Sequence, residues 1–374
     1  KRRISTAGDF LFQIHDRNSG QIPCFGQNDG ALILPLNNCE AQNYKPIIQA
    51  IRYLTERVCE FPSGPWNEDL AWLFGSEALV APVKQRALHD FSAPVGGYWT
   101  LRSSAGFAFV RCPSYRDRPS QADSLHADVW WNGINIALDP GTFSYNAPAP
   151  WNNPFSQSRF HNTVTVDGED QMERVGKFLW LPWLRGEAAL SDPALFNNSA
   201  ITGYWQGEHN GYNVSRGVMH TRAILRCADH LWVVIDRLDG AQAHDFRLHW
   251  LLLNTTHTWN GSSHVLLKFA QRDYHVNFGS SSSGKATLVI ADPASPRGWR
   301  APQYFHREPA ISVDLTVHDR ATWFWTIFSP ESSTVKCTSE TLSIASQKLS
   351  FALQLQARSS TGSTLLVAPG NTSI

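Results

Sequence analysis

The sequence lacks an excess of charge of either sign. Its 374 residues include 32 lysines and arginines and 32 aspartates and glutamates. Without a basic surplus the composition gives no indication of nucleic-acid binding. Apolar runs are short as well, and none approaches the ~18 residues that a membrane-spanning helix needs. We therefore expect no nucleic-acid partner and no membrane span, in a chain long enough for two domains or one large domain.

Closely spaced cysteines are also missing. No C-x-x-C motif occurs, which argues against a zinc knuckle or a redox pair and neither requires nor excludes disulfides. The six cysteines are Cys24, Cys39, Cys59, Cys112, Cys227 and Cys337. The chain begins at Lys1 without a methionine or a signal-like apolar segment. We therefore expect that an N-terminal portion of the natural protein precedes it.

Aromatic side chains, in contrast, are abundant. The sequence contains 15 tryptophans against only 2 methionines. Most of these rings are expected to fill the core and pack on strands. Some are expected to line a surface or cleft where flat rings stack on a ligand such as a sugar.

The first 90 residues favour helices and irregular segments. Residues 1–40 are predicted to be irregular, with a glycine-rich turn at 26–30. Apolar residues at helical spacing predict a helix from Pro46 to Cys59, and a shorter helix is predicted over 68–74 with Asn67 as its N-cap. A linker is predicted over 82–94. We divide the chain into residues 1–90, the end of a helical domain and a linker, and residues 91–374, a β domain.

From about Gly97 the apolar pattern changes to a period of two, which is typical of half-buried strands. Many short strands with turns between them predict a mainly β fold, a large antiparallel β-sandwich. The predicted strands are 98–103, 106–111, 159–166, 219–227, 231–237, 246–253, 265–269, 286–290, 322–328 and 349–355, together with a hairpin around residues 132 and 133.

That hairpin predicts a functional site. Asn132-Gly133 favours a two-residue turn, which pairs Trp131 with Ile134 and, counting outward, places His126 opposite Asp139. Directly opposed residues share one face, with Cβ atoms roughly 4.5–5.5 Å apart. His161 on the next predicted strand makes a third polar residue. The set predicts a metal site or an acid/base cluster; the alternative is a buried hydrogen-bonded triad without metal.

Three blocks of the sequence resemble one known family. They are RPSQADSLHADVWWNG (118–133), ALDPGTFSYN (137–146) and RFHNTVTVDGEDQM (159–172). They are similar to the C-terminal part of the heparinase II/III-like polysaccharide lyases, and the likeness covers most of residues 97–260. GQNDGALILPL (26–36) also resembles the segment that leaves the helical domain of that family.

The resemblance implies an incomplete (α/α) toroid, of which residues 1–90 hold the last helices, followed by the sandwich, with the active cleft between them. It implies eliminative cleavage of an acidic polysaccharide next to a uronic acid. It also implies a divalent metal, most often zinc, on His126, Asp139 and His161. An N-terminal toroid domain of the same protein would supply further catalytic residues. Relatives with degradative roles are periplasmic or secreted, although a cytoplasmic location stays open.

Other residues are candidates for roles in the same cleft. Tyr145 is a candidate general acid and base, because a phenol can serve both steps of an elimination; the alternative is a tyrosine that packs in the loop beside Trp151. Trp130 is a candidate for stacking on a sugar. Arg159 and His209 are candidates for binding substrate, against the alternatives of a solvated arginine and a histidine that stabilises a turn.

Two other function classes compete with the lyase. One is a non-catalytic carbohydrate-binding or structural β-sandwich module. The other is a metal-dependent hydrolase or oxygenase on a cupin-like barrel, which is disfavoured because the closely spaced histidine pairs of such sites are missing. An Asn or His together with a Tyr on upstream toroid helices would favour the lyase over the binding module.

Overall fold

The structure, a computed structural model, describes residues 2–30, 35–196, 198–228, 230–347, 349–356 and 366–369. It is mainly β, with 43% strand and 16% helix. The predicted fold class, a large antiparallel β architecture behind a short helical segment, is confirmed. Residues 31–34, within the segment predicted to leave the helical domain, lie outside the described residues. The division into 1–90 and 91–374 stays a prediction; the first strand begins at Phe91.

Four α-helices occur in the described residues: α1 (Arg2–Ile14), α2 (Lys45–Glu56), α3 (Glu68–Phe74) and α4 (Gly211–Arg216). Proline in its first turn starts α2, and a left-handed Arg57 ends it. The prediction that residues 1–40 are irregular is wrong for α1. This helix carries neither a proline nor an acidic first turn to mark its start. Packing stabilises it instead, since Gly8 lies against Ile51 of α2.

The strands are β1 (Phe91–Ala93), β2 (Tyr98–Arg102), β3 (Gly106–Arg111), β4 (Ala127–Trp131), β5 (Ile134–Ala137), β6 (Val164–Val166), β7 (Glu173–Gly176), β8 (Leu179–Leu181), β9 (Gly186–Ser191), β10 (Ile201–His209), β11 (Met219–Cys227), β12 (Leu231–Leu253), β13 (His257–Trp259), β14 (His264–Leu267), β15 (Tyr274–Ser280), β16 (Gly284–Ile290), β17 (Trp299–Gln303), β18 (His306–Ser329), β19 (Ser333–Cys337), β20 (Thr341–Ser346), β21 (Ser350–Leu355) and β22 (Val367–Pro369). Sixteen of them form one antiparallel sheet.

Two long strands organise the large sheet. β12 and β18 pair along nearly their whole length, from Trp232 opposite Phe328 to Leu253 opposite Ala310, with one register shift between Asp239 and His244. β5, β6, β11, β15, β16 and β17 all pair with one of these two strands. The sequence pattern predicted two separate strands within β12, because the polar residues around the shift interrupt the apolar alternation.

Successive residues of the central strands face two different cores. On β12, Trp232 and Val234 lie in the main core enclosed by the large sheet, whereas Val233 and Ile235 face outward. The second sheet, β19–β22, covers that outward face with apolar side chains such as Phe351. The two sheets therefore pack face to face, as in a β-sandwich.

The helical segment packs against strands β3 and β4 of the large sheet. Ile14 at the end of α1 packs with Phe107, Phe109 and Trp130 of β3 and β4. Arg102 on β2 donates a hydrogen bond to the backbone oxygen of His15 at 2.8 Å. Ile22 and Phe25 of the segment 21–28 pack against the same group of residues. All six cysteines are free, and none of the described helices is both long and apolar enough to cross a membrane.

Candidate metal centre and cleft

The Asn-Gly hairpin forms as predicted at its tip and differs at its base. Asn132 and Gly133 both have positive φ, 48° and 84°, and Trp131 pairs with Ile134. A β-bulge then shifts the register, so that Val129 pairs with Ala137. The predicted direct opposition of His126 and Asp139 in the ladder is therefore wrong. Both residues lie just outside the strands, at the base of the hairpin.

The three predicted ligand residues nevertheless converge. Nε2 of His126 lies 3.7 Å from Oδ2 of Asp139, and Nδ1 of His161 lies 3.3 Å from the same oxygen. His161 follows a short 3-10 helix and precedes β6, so the prediction of a strand over 159–166 is wrong for its first half. We call His126, Asp139 and His161 the cation cluster.

Asn162 holds the segments of the cation cluster together. Its backbone N–H donates to Nδ1 of His126 at 3.0 Å. Its side-chain amide donates to the backbone oxygens of Ala127 and Leu138, at 2.9 and 3.0 Å, and its side-chain oxygen accepts the N–H of Leu251 at 2.7 Å. One buried side-chain amide thus connects the beginning and the end of the hairpin with β12.

A single guanidinium balances the negative charge of the cluster. Arg111, at the end of β3, contacts the carboxylates of Asp123 and Asp139, and all three side chains are buried. The other oxygen of Asp139 accepts the N–H of Gly141 at 2.7 Å. Burial opposes ionisation of Asp139, but Arg111 and His161 outweigh it and lower the pKa of this carboxyl below its usual value. Asp139 is therefore a carboxylate at neutral pH.

A second carboxyl beside the cluster, that of Asp128, has its pKa shifted in the opposite direction. Burial and the nearby Asp139 raise the pKa of Asp128 well above its usual value. Its two oxygens contact His126 Nε2 at 3.3 Å and the amide of Asn135 at 3.2 Å. Burial likewise lowers the pKa of His126 well below its usual value, so this imidazole is neutral.

The residues of the cluster fit a divalent cation. They are the only group of three or more possible ligands among the described residues whose ligand atoms lie within 4.8 Å of one another. Tetrahedral zinc, with bonds of about 2.0–2.2 Å, places neighbouring donor atoms about 3.3–3.6 Å apart, close to the distances here. Nδ1 of His161 has only the 3.3 Å contact with Asp139, and its Nε2 has no hydrogen-bond partner among the described residues, although the side chain is buried. On His126, the Asn162 N–H leaves the ring proton on Nε2, so a cation bound there would release that proton.

A cavity reaches the cluster from the helical side. It has a volume of about 320 Å³ and lies between the segment 21–28 and the sheet. Asp139 forms part of its wall, together with Trp130, Asn135, Cys24 and Tyr44. The side chain of Trp130 is buried and stacks on Phe107 with the rings 7° from parallel. Trp130 therefore borders the cavity with a ring that the protein covers almost completely.

The other predicted residues lie away from the cluster. Tyr145 contacts Phe178 and Tyr304, not Trp151, and its hydroxyl is buried without a hydrogen-bond partner. Burial, Asp29 and Tyr304 raise the pKa of Tyr145 to about 12. It therefore remains protonated at neutral pH and can donate a proton.

Arg159 and His209 occupy different environments. Arg159 is exposed, with its guanidinium 5.8 Å from the ring centre of Phe160. His209 is buried and packs against Tyr212 and His220, with Nδ1 accepting the N–H of Gly211. The structure thus brings together the metal candidates and Trp130, and separates His209 from the cavity wall.

The sequence predicted Asp128 and Asn162 as residues that could orient a histidine ligand, and both contact His126, but it did not predict Arg111 and Asp123. Arg111 was read only as the end of a strand, although a charged residue in the apolar run GFAFVRC is a signal for a buried ion pair. Asp123 gives no comparable signal, because the loop that carries it looks like any polar loop. Cys24 and Tyr44 reach the cavity only through the packing of the helical segment.

Comparison with known proteins identifies the family. The family model described as "Heparinase II/III-like, C-terminal" matches residues 85–350. No curated protein matches the chain.

Solved structures show the same fold. A heparinase III structure superposes with a TM-score of 0.69 at 13% identity, over 94% of this chain and 53% of that one. A heparan sulfate lyase, HepC from Pedobacter heparinus, gives a TM-score of 0.67 at 13% identity, over 93% and 52%. A heparinase III gene product gives 0.67 at 15% identity over the same shares. The chain thus spans about half the length of these structures.

The match of the family model over more than half of the sequence confirms the resemblance that the three sequence blocks predicted. The chain belongs to the heparinase II/III-like family of polysaccharide lyases.

Proposed function

We propose that the protein cleaves a uronic-acid-containing polysaccharide by β-elimination, with a zinc-binding cation cluster on the sandwich wall of the cleft. The observation that carries the proposal is the convergence of His126, Asp139 and His161 beside a cavity closed by the helical segment. An acidic polysaccharide is the substrate, and an N-terminal toroid domain of the same protein would form the opposite wall.

The elimination needs three groups. A base removes the proton from C5, and the electrons of that bond form the C4–C5 double bond as the C4–oxygen bond breaks. An acid protonates the departing oxygen, and a positive charge neutralises the uronate carboxylate so that the C5 proton becomes acidic. We assign the acid to Tyr145, which is protonated at neutral pH because its pKa is raised to about 12.

Other residues of this chain bind and orient. Trp130 borders the cavity with its aromatic ring, and Arg159 is an exposed guanidinium that matches a carboxylate. His209 is buried away from the cavity, so it would influence substrate binding only indirectly, through the turn that it stabilises. A zinc ion bound by the cation cluster would hold the cleft wall in place and add positive charge near the substrate carboxylate.

The experiment uses the full-length protein. It is incubated with heparan sulfate, hyaluronan, alginate and bacterial exopolysaccharides while the ultraviolet absorbance of an unsaturated uronate is followed. His126→Ala and Asp139→Ala are expected to abolish the rise in absorbance. His318→Ala and Asp245→Ala are matched controls, because these two residues form an exposed pair elsewhere on the sandwich and should leave the rate unchanged.

A non-catalytic carbohydrate-binding module is the second candidate. The observation that favours it is the burial of the Tyr145 hydroxyl, since a catalytic acid must reach the oxygen that it protonates. No absorbance rise on any uronate, with oligosaccharide and zinc still bound, would replace the lyase with this module.

A further inference from the structure

We propose that the sandwich carries a second binding site, for a negatively charged sugar residue, in a cavity beside Tyr98, Arg116 and Arg118. The cavity has a volume of about 340 Å³ and opens between the strands β2–β3 and the loop 113–123. This size lies in the range of pockets that hold small ligands. The inference rests on the proposed function, because it places an acidic-glycan subsite next to the cleft.

The rim of the cavity carries two guanidinium groups and one carboxylate, that of Asp117. Arg116 and Arg118 are exposed and line the cavity. Within the described part of the chain neither forms an ion pair; Arg118 lies over the ring of Phe178, 5.5 Å from its centre, and its charge opposes the rise in the pKa of Tyr145. A guanidinium pair on one rim matches a carboxylate or sulfate group through paired N–H donors.

The wall offers hydroxyl groups that a sugar can bind, whereas the ring of Tyr98 packs against Phe10, Phe25 and Phe109. Tyr98 stacks on Phe109 with the rings 13° from parallel, so its ring has a fixed orientation. Its hydroxyl forms no hydrogen bond with any residue that the structure describes. Burial raises the pKa of Tyr98, so the hydroxyl stays protonated and can donate to a sugar oxygen. Ser114 and Ser120 add two further hydroxyl groups to the lining.

The loop that carries the arginines is anchored before any ligand arrives. The hydroxyl of Tyr115 donates to the backbone oxygen of Gln121 at 3.1 Å and lies 3.2 Å from Oδ1 of Asp123. Asp123 in turn contacts Arg111 at the floor of the cavity. An anchored loop loses little conformational freedom on binding, which favours affinity.

Arg111 also connects this site with the cation cluster. Its guanidinium contacts Asp123 on the wall of this cavity and Asp139 on the wall of the other. Gly26 lines the first cavity, and its neighbours Phe25 and Gln27 line the second. The two cavities therefore lie side by side beneath one stretch of chain, which places an acidic sugar at the subsite adjacent to the cleft.

Binding is measured by calorimetry on the full chain. EDTA is present to remove zinc, so that the lyase does not cleave the probe during the titration. The probes are a hyaluronan hexasaccharide, which carries only carboxylates, a heparan sulfate hexasaccharide, which also carries sulfates, and uncharged maltohexaose. The combined variant Arg116→Gln, Arg118→Gln is expected to weaken binding of a charged probe at least tenfold. Tyr98→Phe is expected to weaken it about threefold to tenfold, as for one lost hydrogen bond of 0.5–1.5 kcal/mol.

The matched control is Arg3→Gln, Arg320→Gln, which removes the same charge from two exposed arginines outside this cavity. It should leave the affinity unchanged. An equal loss of affinity in the two double variants would show attraction to net charge alone and would overturn the site. Tight binding of maltohexaose would overturn it as well, and so would the failure of both charged probes to bind. Preference between the two charged probes identifies the anionic group.

The two proposals fail in different ways. If charged probes bind through Arg116 and Arg118 but no unsaturated uronate ever forms, the subsite stands and the lyase does not. If the lyase reaction proceeds and the Arg116→Gln, Arg118→Gln variant keeps both its KM and its probe affinity, the subsite is wrong while the lyase stands.

Discussion

Two buried clusters of the same residue types lie close together in this sandwich, and they differ in how their polar atoms are matched. In the first, which we call the paired cluster, Asp236 accepts from Arg222 at 2.7 and 3.0 Å and from His220 at 2.7 Å. One carboxylate therefore meets one guanidinium, and only one ring nitrogen of His220 lacks a partner. In the cation cluster Nε2 of His161 has no partner among the described residues, and Nδ1 has only the longer contact of 3.3 Å with Asp139. Since unmatched buried polar groups are costly, such a set indicates a ligand.

The two clusters also face different surroundings. Asp139 forms part of a cavity wall, whereas Arg222 donates to the backbone oxygens of Leu125 and Asn162, at 2.6 and 2.5 Å. Those two residues are the neighbours of His126 and His161 in the chain. The paired cluster therefore supports the backbone that carries the cation cluster, and the comparison separates a supporting role from a binding role.

The largest expected effect comes from removing Arg222. Arg222→Leu leaves the buried carboxylate of Asp236 without its main partner and two backbone oxygens without a donor. We expect a loss of about 3–5 kcal/mol in the free energy of unfolding, as for other broken buried ion pairs. Urea denaturation at neutral pH measures it.

Asp139→Asn is the matched change in the cation cluster. Arg111 keeps Asp123 as a partner, and an asparagine oxygen still accepts the Gly141 N–H, so we expect a smaller loss of about 1–2 kcal/mol. If this variant loses as much stability as Arg222→Leu, the cation cluster is as structural as the paired cluster and the contrast between them disappears.

Added zinc should stabilise only through the cation cluster. At a free zinc concentration 100 times the dissociation constant, a site present only in the folded state adds about 2.7 kcal/mol to the free energy of unfolding. His161→Ala should remove this gain. His220→Ala, in the paired cluster, should keep it even though the variant is less stable.

Zinc titrations followed by thermal unfolding, each against an EDTA-treated sample, measure the gain. An equal gain in wild type and His161→Ala would place the zinc elsewhere, and no gain in wild type would assign the cluster to a metal-free triad.

The sequence predicted which residues form the site, but it did not predict the strand pairing that brings them together. The Asn-Gly turn and the three polar positions were readable because turn chemistry and residue type are local properties. The bulge between Val129 and Trp130 was not readable, since it depends on how β5 continues toward β12. The ligand residues still meet because Asn162 and Arg222 fix the loops that carry them.

The fold shows the same division between local and distant signals. β11 and α3 were predicted with their observed bounds, β11 from its strand-like pattern and α3 from the Asn67 and Gly75 that flank it. α1 was missed, since its stability comes from contacts such as that between Gly8 and Ile51 rather than from capping or proline signals. β10 was missed as well, because glycines at 203 and 207 interrupt its apolar alternation, and pairing with β9 and β11 stabilises it instead.

Acid should weaken the paired cluster in a defined direction. Burial opposes ionisation of Asp236, but Arg222 and His220 outweigh it and lower the pKa of this carboxyl. The carboxylate therefore stabilises the folded state above its unfolded pKa of about 3.9, and this contribution is lost as pH falls through the lower folded pKa. The difference in unfolding free energy between wild type and Asp236→Asn should thus shrink from pH 5 toward pH 2.5. A constant difference across that range would contradict the assignment.

The smallest expected effects compare two tyrosines, one with a matched hydroxyl and one without. The hydroxyl of Tyr212 donates to the backbone oxygens of Val164 and Glu169, at 3.2 and 3.3 Å, so Tyr212→Phe should cost about 1–2 kcal/mol of stability. Tyr145→Phe should cost nothing measurable, because its buried hydroxyl has no partner to lose.

For catalytic activity we expect the opposite order, with the larger loss in Tyr145→Phe. In the full-length protein Tyr145→Phe is expected to lower kcat at least about 100-fold, the usual contribution of a positioned acid, with little change in KM. Tyr212→Phe should keep kcat. If both variants keep kcat, Tyr145 only packs in its loop, and the proton for the departing oxygen comes from another residue.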